Sequence, residues 1–346
     1  MLDESMTPSF QPGLINDPFS DPGLFISFLF DRRAVLFDLG DLSPLSPKNL
    51  LKITHAFVTH AHMDHFVGFD SLLRVFLARD KRLHLFGPPG FFERVEGKLA
   101  GYTWNLLPEY KNDFRLDVTE VHPARLSHRT YICREQFRPR HRLSSTPFSG
   151  ILHKESAFSV QGIFLDHRIP CLGLSFIENF SVNIDKEALT RLGLPVGPWL
   201  NRFKAAIYEK TGHGEDFSVT WMEKGDVIKE KSFVFGDLVK KIARISEGHK
   251  IVYITDVLGS PENCAKIIDL AQGADILFIE SHFLESEREL ADRKYHLTAF
   301  KAGEIANRAG VRRLELFHFS PRYKGREREL EKEAEKAYGK PCSRIP

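Results

Sequence analysis

Cysteine is scarce: Cys133, Cys171, Cys264 and Cys342 are the only four in 346 residues, and no two form a Cys-x-x-Cys pair. That excludes a disulfide framework and a zinc ribbon and reads as reduced thiols. No apolar run approaches the ~20 residues that a membrane helix needs, so no membrane association is expected. An excess of one charge is missing too. Forty-eight basic residues face 46 acidic ones for a formal net charge of +2, which argues against a chain coated in basic charge but would hide a local patch. The opening stretch Met1–Gly23 is polar and Pro-rich and lacks a basic segment followed by an apolar one, so it reads as a mature, cytoplasmic start. Internal repeats and low-complexity tracts are also lacking. What remains is an ordinary globular composition, 42% hydrophobic and 27% charged, long enough for one large core or two modest ones.

Along the chain, β-rich runs and helical spacings alternate. Leu24–Phe30 and Ala34–Leu39 read as a hairpin, and Ala56–Thr59 as a short strand. Phe69–Ala78 and Phe91–Ala100 have helical spacing on either side of the strand Leu83–Phe86. Ile163–Leu165 and Leu172–Ile177 read as strands flanking a histidine. A strand–helix alternation then follows: Ile251–Ile254, Cys264–Leu270, Ile276–Ile279, Ala299–Ala309 and Leu314–Phe317, closed by a charged helix over Gly325–Tyr338. Two stretches break this rhythm and read as excursions from one scaffold. Arg125–Lys154 is basic, with Arg125, Arg129, Arg134, Arg138, Arg140, Arg142 and Lys154 against Glu135 alone, and it interleaves Tyr131, Phe137 and His141. Such interleaving suits a surface that neutralises phosphates and stacks bases, and equally a charged solvated loop. Asn179–Phe235 is long and mixed, with the Pro/Gly turn Leu194–Pro198 inside it.

The most informative stretch is Thr59-His60-Ala61-His62-Met63-Asp64-His65. Three imidazoles and a carboxylate within six residues, straight after a strand, are a poor way to build a core, because histidine and aspartate are seldom fully buried unless paired or ligating. Imidazole nitrogen and carboxylate oxygen are donors that zinc, iron and manganese accept. Alternation puts His60 and His62 on one side, and Asp64 and His65 then turn toward a second position. Further histidines and aspartates follow strands in the same way: His167 after Leu165-Asp166, Asp256 after Ile254-Thr255, and His318 after Phe317.

His-x-His-x-Asp-His after a strand, with those three later residues in order, resembles the signature of the metallo-β-lactamase superfamily. Within it the chain resembles the ribonuclease Z family, endonucleases that trim the 3′ ends of tRNA precursors. Val35–Asp41, Leu165-Asp166-His167 with Leu172-Gly173-Leu174, Tyr295-His296-Leu297-Thr298, His318–Tyr323 and the Leu194–Pro198 element each resemble a segment of that family, and together they span Phe37 to about Lys324. Two departures stand out. Ser20–Phe30 replaces a Gly-rich opening strand, and Ile279-Glu280-Ser281-His282 replaces a His-Glu-Ala-Thr motif, so that isoleucine stands where a catalytic histidine is expected.

The resemblance implies an αβ/βα sandwich of two mixed β-sheets flanked by helices, one hydrolase domain over 1–346 with an inserted arm, a possible RNA exosite, at 179–235. It implies two divalent ions, zinc with iron or manganese as alternatives. His60, His62 and His167 would hold one, Asp64, His65 and His318 the other, and Asp256 would bridge them. A hydroxide shared by the ions would attack the phosphodiester. Asp64 would also orient that nucleophile, and His296 would contact the phosphate or protonate the leaving oxygen, unless it merely caps a helix. Arg138, Arg140 and Arg142 are candidate phosphate contacts. Asp38 and Gly40 read as shapers of a turn, and His282 as a structural histidine. The expected function is a phosphodiesterase acting on tRNA precursors as a homodimer. One alternative is a phosphodiesterase for small substrates such as cyclic nucleotides, favoured by the two departures. Another is a metal-bearing RNA-binding protein without turnover.

Overall fold

A computed structural model of the chain describes residues 9–29, 31–77, 79–139, 144–223 and 227–343. Its frame is two sheets packed face to face. The first has eight strands in chain order: β1 (Phe10–Leu14), β2 (Leu24–Phe28), β3 (Ala34–Phe37), β4 (Ile53–Phe57), β5 (Arg82–Gly87), β6 (Arg115–Val121), β7 (Arg125–Ile132) and β8 (Ser144–Pro147). Strands β3 to β6 run parallel, with antiparallel pairs at both ends. The chain then crosses to the second sheet through β9 (Ile151–Lys154), β10 (Phe158–Asp166) and β11 (Pro170–Glu178). After an excursion, β16 (Lys250–Ile254), β17 (Ile276–Glu280) and β18 (Arg313–Phe317) complete that sheet in the order β18-β17-β16-β11-β10-β9. β16, β17 and β18 are mutually parallel and antiparallel to β11.

Alternation along the strands sorts the apolar side chains into three layers. Phe37, Phe57, Phe86, Phe158, Phe176, Tyr253, Phe278 and Phe317 fill the space between the sheets. Their strand neighbours Leu36, Ala56, Leu85 and Val118 face outward onto the helices Phe69–Phe76 and Phe91–Ala100. Val252, Ile254, Leu277 and Leu316 do the same toward the helices Pro261–Ala271, Ala299–Arg308 and Glu327–Tyr338. In the first of these helices, Phe69, Leu72, Leu73 and Phe76 are buried at the i, i+3, i+4, i+7 spacing that makes one apolar stripe. The expected αβ/βα sandwich is therefore the observed architecture. Among the described residues no helix is long and apolar enough to cross a membrane.

One expectation is corrected. Arg125–Lys154 is no excursion: it supplies β7 and β8 of the first sheet and β9 of the second. Its arginines hid the first of these strands, because β7 buries Leu126, Ser127, Tyr131 and Ile132 between its charges. Arg129 is occupied within the fold, pairing with Glu96 and lying 4.6 Å from the Phe92 ring centroid.

The second stretch does leave the sheet. Between β11 and β16 lie β12 (Phe180–Ile184), the helices Lys186–Arg191 and Trp199–Tyr208, the hairpin of β13 (Asp216–Glu223) and β14 (Val227–Val234), the helix Phe235–Ile242 and β15 (Ala243–Glu247). Strand β15 returns to pair with β12, Ala243 opposite Ile184, so the excursion runs to Glu247 rather than Phe235. It has its own core, built on Val182, Leu189, Trp199, Phe203, Phe235 and Leu238.

Candidate metal centre

The parallel strands decide where the site forms, because β3, β4, β10, β16, β17 and β18 all end at one edge of the sandwich. Just past those ends lie Asp38, the His60–His65 segment, His167, Asp256, His282 and His318. Loops at the C-terminal ends of parallel strands present their side chains together, the usual place for a site in such sheets. A one-turn helix, Met63–Phe66, turns Asp64 and His65 inward. It is pinned by backbone bonds from Leu39 N–H to His65 O (2.8 Å) and from Gly68 N–H to Leu39 O (2.8 Å). Gly68 is required there, since a Cβ would lie 2.2 Å from the Gly40 carbonyl oxygen.

The seven sequence-derived side chains converge in two groups. Donor atoms of His60, His62, His167 and Asp256 lie within 4.8 Å of one another, as do those of Asp64, His65 and His318. Asp256 stands between the groups with one oxygen turned to each. Its Oδ2 is 3.6 Å from His60 Nε2 and 3.5 Å from His167 Nε2. Its Oδ1 is 3.5 Å from His65 Nε2 and 3.1 Å from His318 Nδ1. Asp64 Oδ2 lies 3.3 Å from His65 Nε2 and 3.4 Å from His318 Nε2. Tetrahedral zinc ligands with bonds of about 2.0–2.1 Å stand about 3.3 Å apart, so these separations match the edges of a coordination shell. His65 Nε2 and His318 Nδ1 are buried without a hydrogen-bond partner among the described residues. Buried polar nitrogens are seldom left so, and a cation there would satisfy both.

The outer nitrogens are tethered, which fixes ring orientation and leaves the inner ones to face the centre. His65 Nδ1 lies 2.9 Å from Asp38 Oδ2, His167 Nδ1 2.8 Å from the Tyr295 carbonyl, and His60 Nδ1 3.1 Å from Thr59 Oγ1. Asp38 was read as a turn residue, but it is fully buried and accepts from Thr59 N–H (2.7 Å) and Tyr253 O–H (3.1 Å) as well. Asp38, Asp256, Tyr295 and His318 all have positive φ, at 58°, 37°, 60° and 57°. Backbone in that region costs energy for residues other than glycine and is held where the surroundings over-determine it. Replacing Asp38 with alanine is expected to destabilise the metal-free protein by about 3–5 kcal/mol, because it strands the buried His65 imidazole and Tyr253 hydroxyl. Urea unfolding measures this; a loss below about 1 kcal/mol would contradict the pinning role.

Charge distribution follows burial and neighbours. Burial pushes His60 down to about 2, so it stays neutral, and burial followed by His167 lowers His62. Burial opposes the charge on Asp256, but His318 and His65 hold it well below the usual carboxylate range.

Beside this cluster lies a pair the sequence reading did not assemble. His296 Nδ1 is 2.8 Å from the Oε2 of the fully buried Glu280, and burial alone would lower the imidazole, yet Glu280 raises it to about 9. His296 does not cap the following helix; Thr298 does, its side chain accepting from Lys301 N–H at 3.2 Å. The His282 ring stacks on His296 at 4.0 Å and 10°, and its Nδ1 lies 2.9 Å from the His318 carbonyl. It lines the cavity of about 440 Å³ over the cluster, together with Asp64, His62, His296 and Phe19. His282 is thus part of the site rather than a remote structural histidine. Ile279 is the other correction. It is fully buried on the helix-facing side of β17, so a histidine at 279 would not reach the cavity, whereas Glu280 points inward. Glu280 and His282 follow the rule that located Asp256 and His318, being at or just past a strand end.

Of the arginine candidates, Arg138 is not brought to the site. β7 runs antiparallel to β6, so it starts at the metal edge with Arg125 and ends at the far edge. Arg138 follows that far end, where it donates to Gln136 Oε1 (2.9 Å). Arg140 and Arg142 lie outside the described residues.

No family model matches the chain. Its structure is similar to that of the metallo-β-lactamase fold protein YhfI from Bacillus subtilis over 97% of each chain, with a TM-score of 0.55 at 14% identity. Fold and cluster together define a chain of the metallo-β-lactamase fold with two groups of metal-type donors at one sheet edge. In sequence the chain is 32% identical over 296 residues to ribonuclease Z of Deinococcus radiodurans, covering 85% of this chain and 84% of that protein. With ribonuclease Z of Thermococcus sibiricus it shares 28% identity over 313 residues, 86% of this chain and 81% of the relative. The chain belongs to the ribonuclease Z family.

Proposed function

We propose that this chain is a two-metal endonuclease that cleaves a phosphodiester at the 3′ ends of tRNA precursors. The observation that carries the two-metal reading is the division of Asp256, one oxygen toward His60 and His167 and the other toward His65 and His318. His60, His62 and His167 would hold one ion and Asp64, His65 and His318 the second, with Asp256 shared. Five imidazoles against two carboxylates favour zinc over manganese. Two such ions, when bound, supply a water-derived nucleophile at neutral pH and stabilise charge on the phosphate oxygens.

The chain's own groups do the rest. His296, charged through Glu280, has its Nδ1 engaged and lines the cavity, so its Nε2 is the nitrogen that would donate a proton to the leaving oxygen as the P–O bond breaks. His282 stacks on that ring and keeps it from turning away. Asp64 accepts from the attacking water while facing His65 and His318. The four free cysteines fit a reducing, cytoplasmic setting, and a homodimer is the assembly proposed with the family.

The excursion 179–247 is proposed as the grip on the body of the RNA. Because Ile184 and Ala243 face each other, residues Asp185–Ile242 can be replaced by an Asn-Gly turn that keeps the β12–β15 hairpin. The shortened protein should still hydrolyse a chromogenic diester while tRNA-precursor cleavage falls steeply. Equal loss of both activities would place the excursion in the catalytic body. The second reading, a small substrate such as a cyclic nucleotide, draws on the 440 Å³ cavity, a volume that suits a single small ligand. A cleavage panel of precursor tRNA, cyclic nucleotide and chromogenic diester separates the two.

A further inference from the structure

A second group of metal-type donors lies away from the catalytic edge, between the sheets. His55 is on β4, five residues before His60, which places it about 16 Å back along the strand direction. The register shift between Ala34 and Val35 turns His55 inward, where its ring meets that of His153 on β9 at 4.1 Å. His153 Nε2 lies 3.1 Å from Glu155 Oε1. Donor atoms of His55, His153 and Glu155 all fall within 4.8 Å of one another.

His55 Nδ1 lies 3.0 Å from Thr54 Oγ1, a hydroxyl that also lies 3.4 Å from the Ala34 carbonyl oxygen. In the tautomer with Nδ1–H donating to Thr54, Nε2 carries the lone pair. Nε2 is buried with no hydrogen-bond partner among the described residues, in a residue only 5% exposed, and burial keeps the ring neutral. A water there would need two to four polar partners. An ion needs only donors, and a buried neutral imidazole with its other nitrogen tethered is the form that ligates.

We propose that His55, His153 and Glu155 hold a structural divalent ion, zinc by the chemistry of its donors, which joins β4 of the first sheet to β9 of the second. Two imidazoles and one carboxylate leave the fourth position of a tetrahedral zinc to water. Both oxygens of Glu155 accept from Arg33 Nη1, Oε2 at 2.8 Å and Oε1 at 3.1 Å, which fixes the carboxylate, and Oε1 also lies 3.1 Å from His153 Nε2 on the side of the proposed ion. His84 stacks on His55 at 4.7 Å and 12° and does not share the donor cluster. Arg33 opposes a dication nearby, so this ion binds more weakly than the catalytic pair and leaves first on titration with chelator.

The test uses full-length protein reconstituted with Zn²⁺, with zinc per chain counted by mass spectrometry in wild type and His153→Ala. The variant is expected to hold one ion fewer and to turn over a chromogenic diester at the wild-type rate. His62→Ala should lose catalytic zinc and keep this ion, so failure of the catalytic reading would be seen separately. Anomalous scattering at the zinc edge from wild-type crystals checks the site without any variant, with a peak expected within bonding distance of His55 Nε2. Equal zinc content in wild type and His153→Ala, or no such peak, overturns the proposal.

Discussion

Asp256→Ala is expected to strip the catalytic ions and leave no measurable cleavage of any phosphodiester. The carboxylate is 3% exposed and, among the described residues, is the one side chain that faces both donor groups, with His60 and His167 on one oxygen and His65 and His318 on the other. Without it the His60–His62–His167 group keeps no carboxylate, the second group keeps only that of Asp64, and no anion is shared between the two positions. The backbone at φ 37° is held by its surroundings rather than by the side chain, so the fold should persist. Asp256→Asn keeps the volume but loses the charge, and asparagine tolerates the left-handed region. It should therefore lose the ions without a large change in unfolding midpoint. Metal counts and diester hydrolysis on both variants check this. Full metal content with activity intact in either would remove Asp256 from the centre of the account.

The second large effect falls on proton transfer. His296→Ala should lower kcat by about 10²–10⁴-fold, the usual contribution of a positioned acid or base. Metal content should not change, because His296 Nδ1 is committed to Glu280 and its ring stands outside the two donor groups around Asp256. The pH dependence gives the sign. Glu280 raises His296 to about 9, and a group that acts as an acid works while protonated, so kcat falls as pH rises through its pKa. Bound dications nearby pull that pKa down, placing the alkaline limb below about 9 in the loaded enzyme. Glu280→Gln removes the charge that raises the imidazole and should shift this limb to lower pH with metal content unchanged. A limb that stays fixed in Glu280→Gln, or a kcat that survives His296→Ala, would assign proton delivery elsewhere.

Much of this site could be read from the chain alone, and the reason is geometric. A histidine or aspartate just past a strand in a parallel sheet has few structural roles, so His60–His65, His167, Asp256 and His318 stood out before any fold was known. The layers were readable on the same grounds, since strand alternation and helical spacing are local. What escaped depended on contacts distant in sequence. Glu280 and His296 are sixteen residues apart and become a pair only when β17 and the loop before the helix Ala299–Arg308 meet at the edge. Asp38 looked like a turn residue because nothing local shows that its carboxylate reaches His65, Thr59 and Tyr253. Arg125–Ile132 looked like a charged loop because half of a strand's side chains face outward, and here several of those are arginine or histidine. The expectation that arginines there would meet substrate failed at Arg138 through strand direction, which composition does not encode.

The most direct test of the central claim is to offer purified, zinc-reconstituted protein a precursor tRNA carrying a 3′ extension, beside a cyclic nucleotide at matched concentration. A cut at the 3′ end of the tRNA is expected, abolished by chelator, restored by Zn²⁺ and absent in Asp256→Ala. An intact precursor with rapid turnover of the cyclic nucleotide would contradict it.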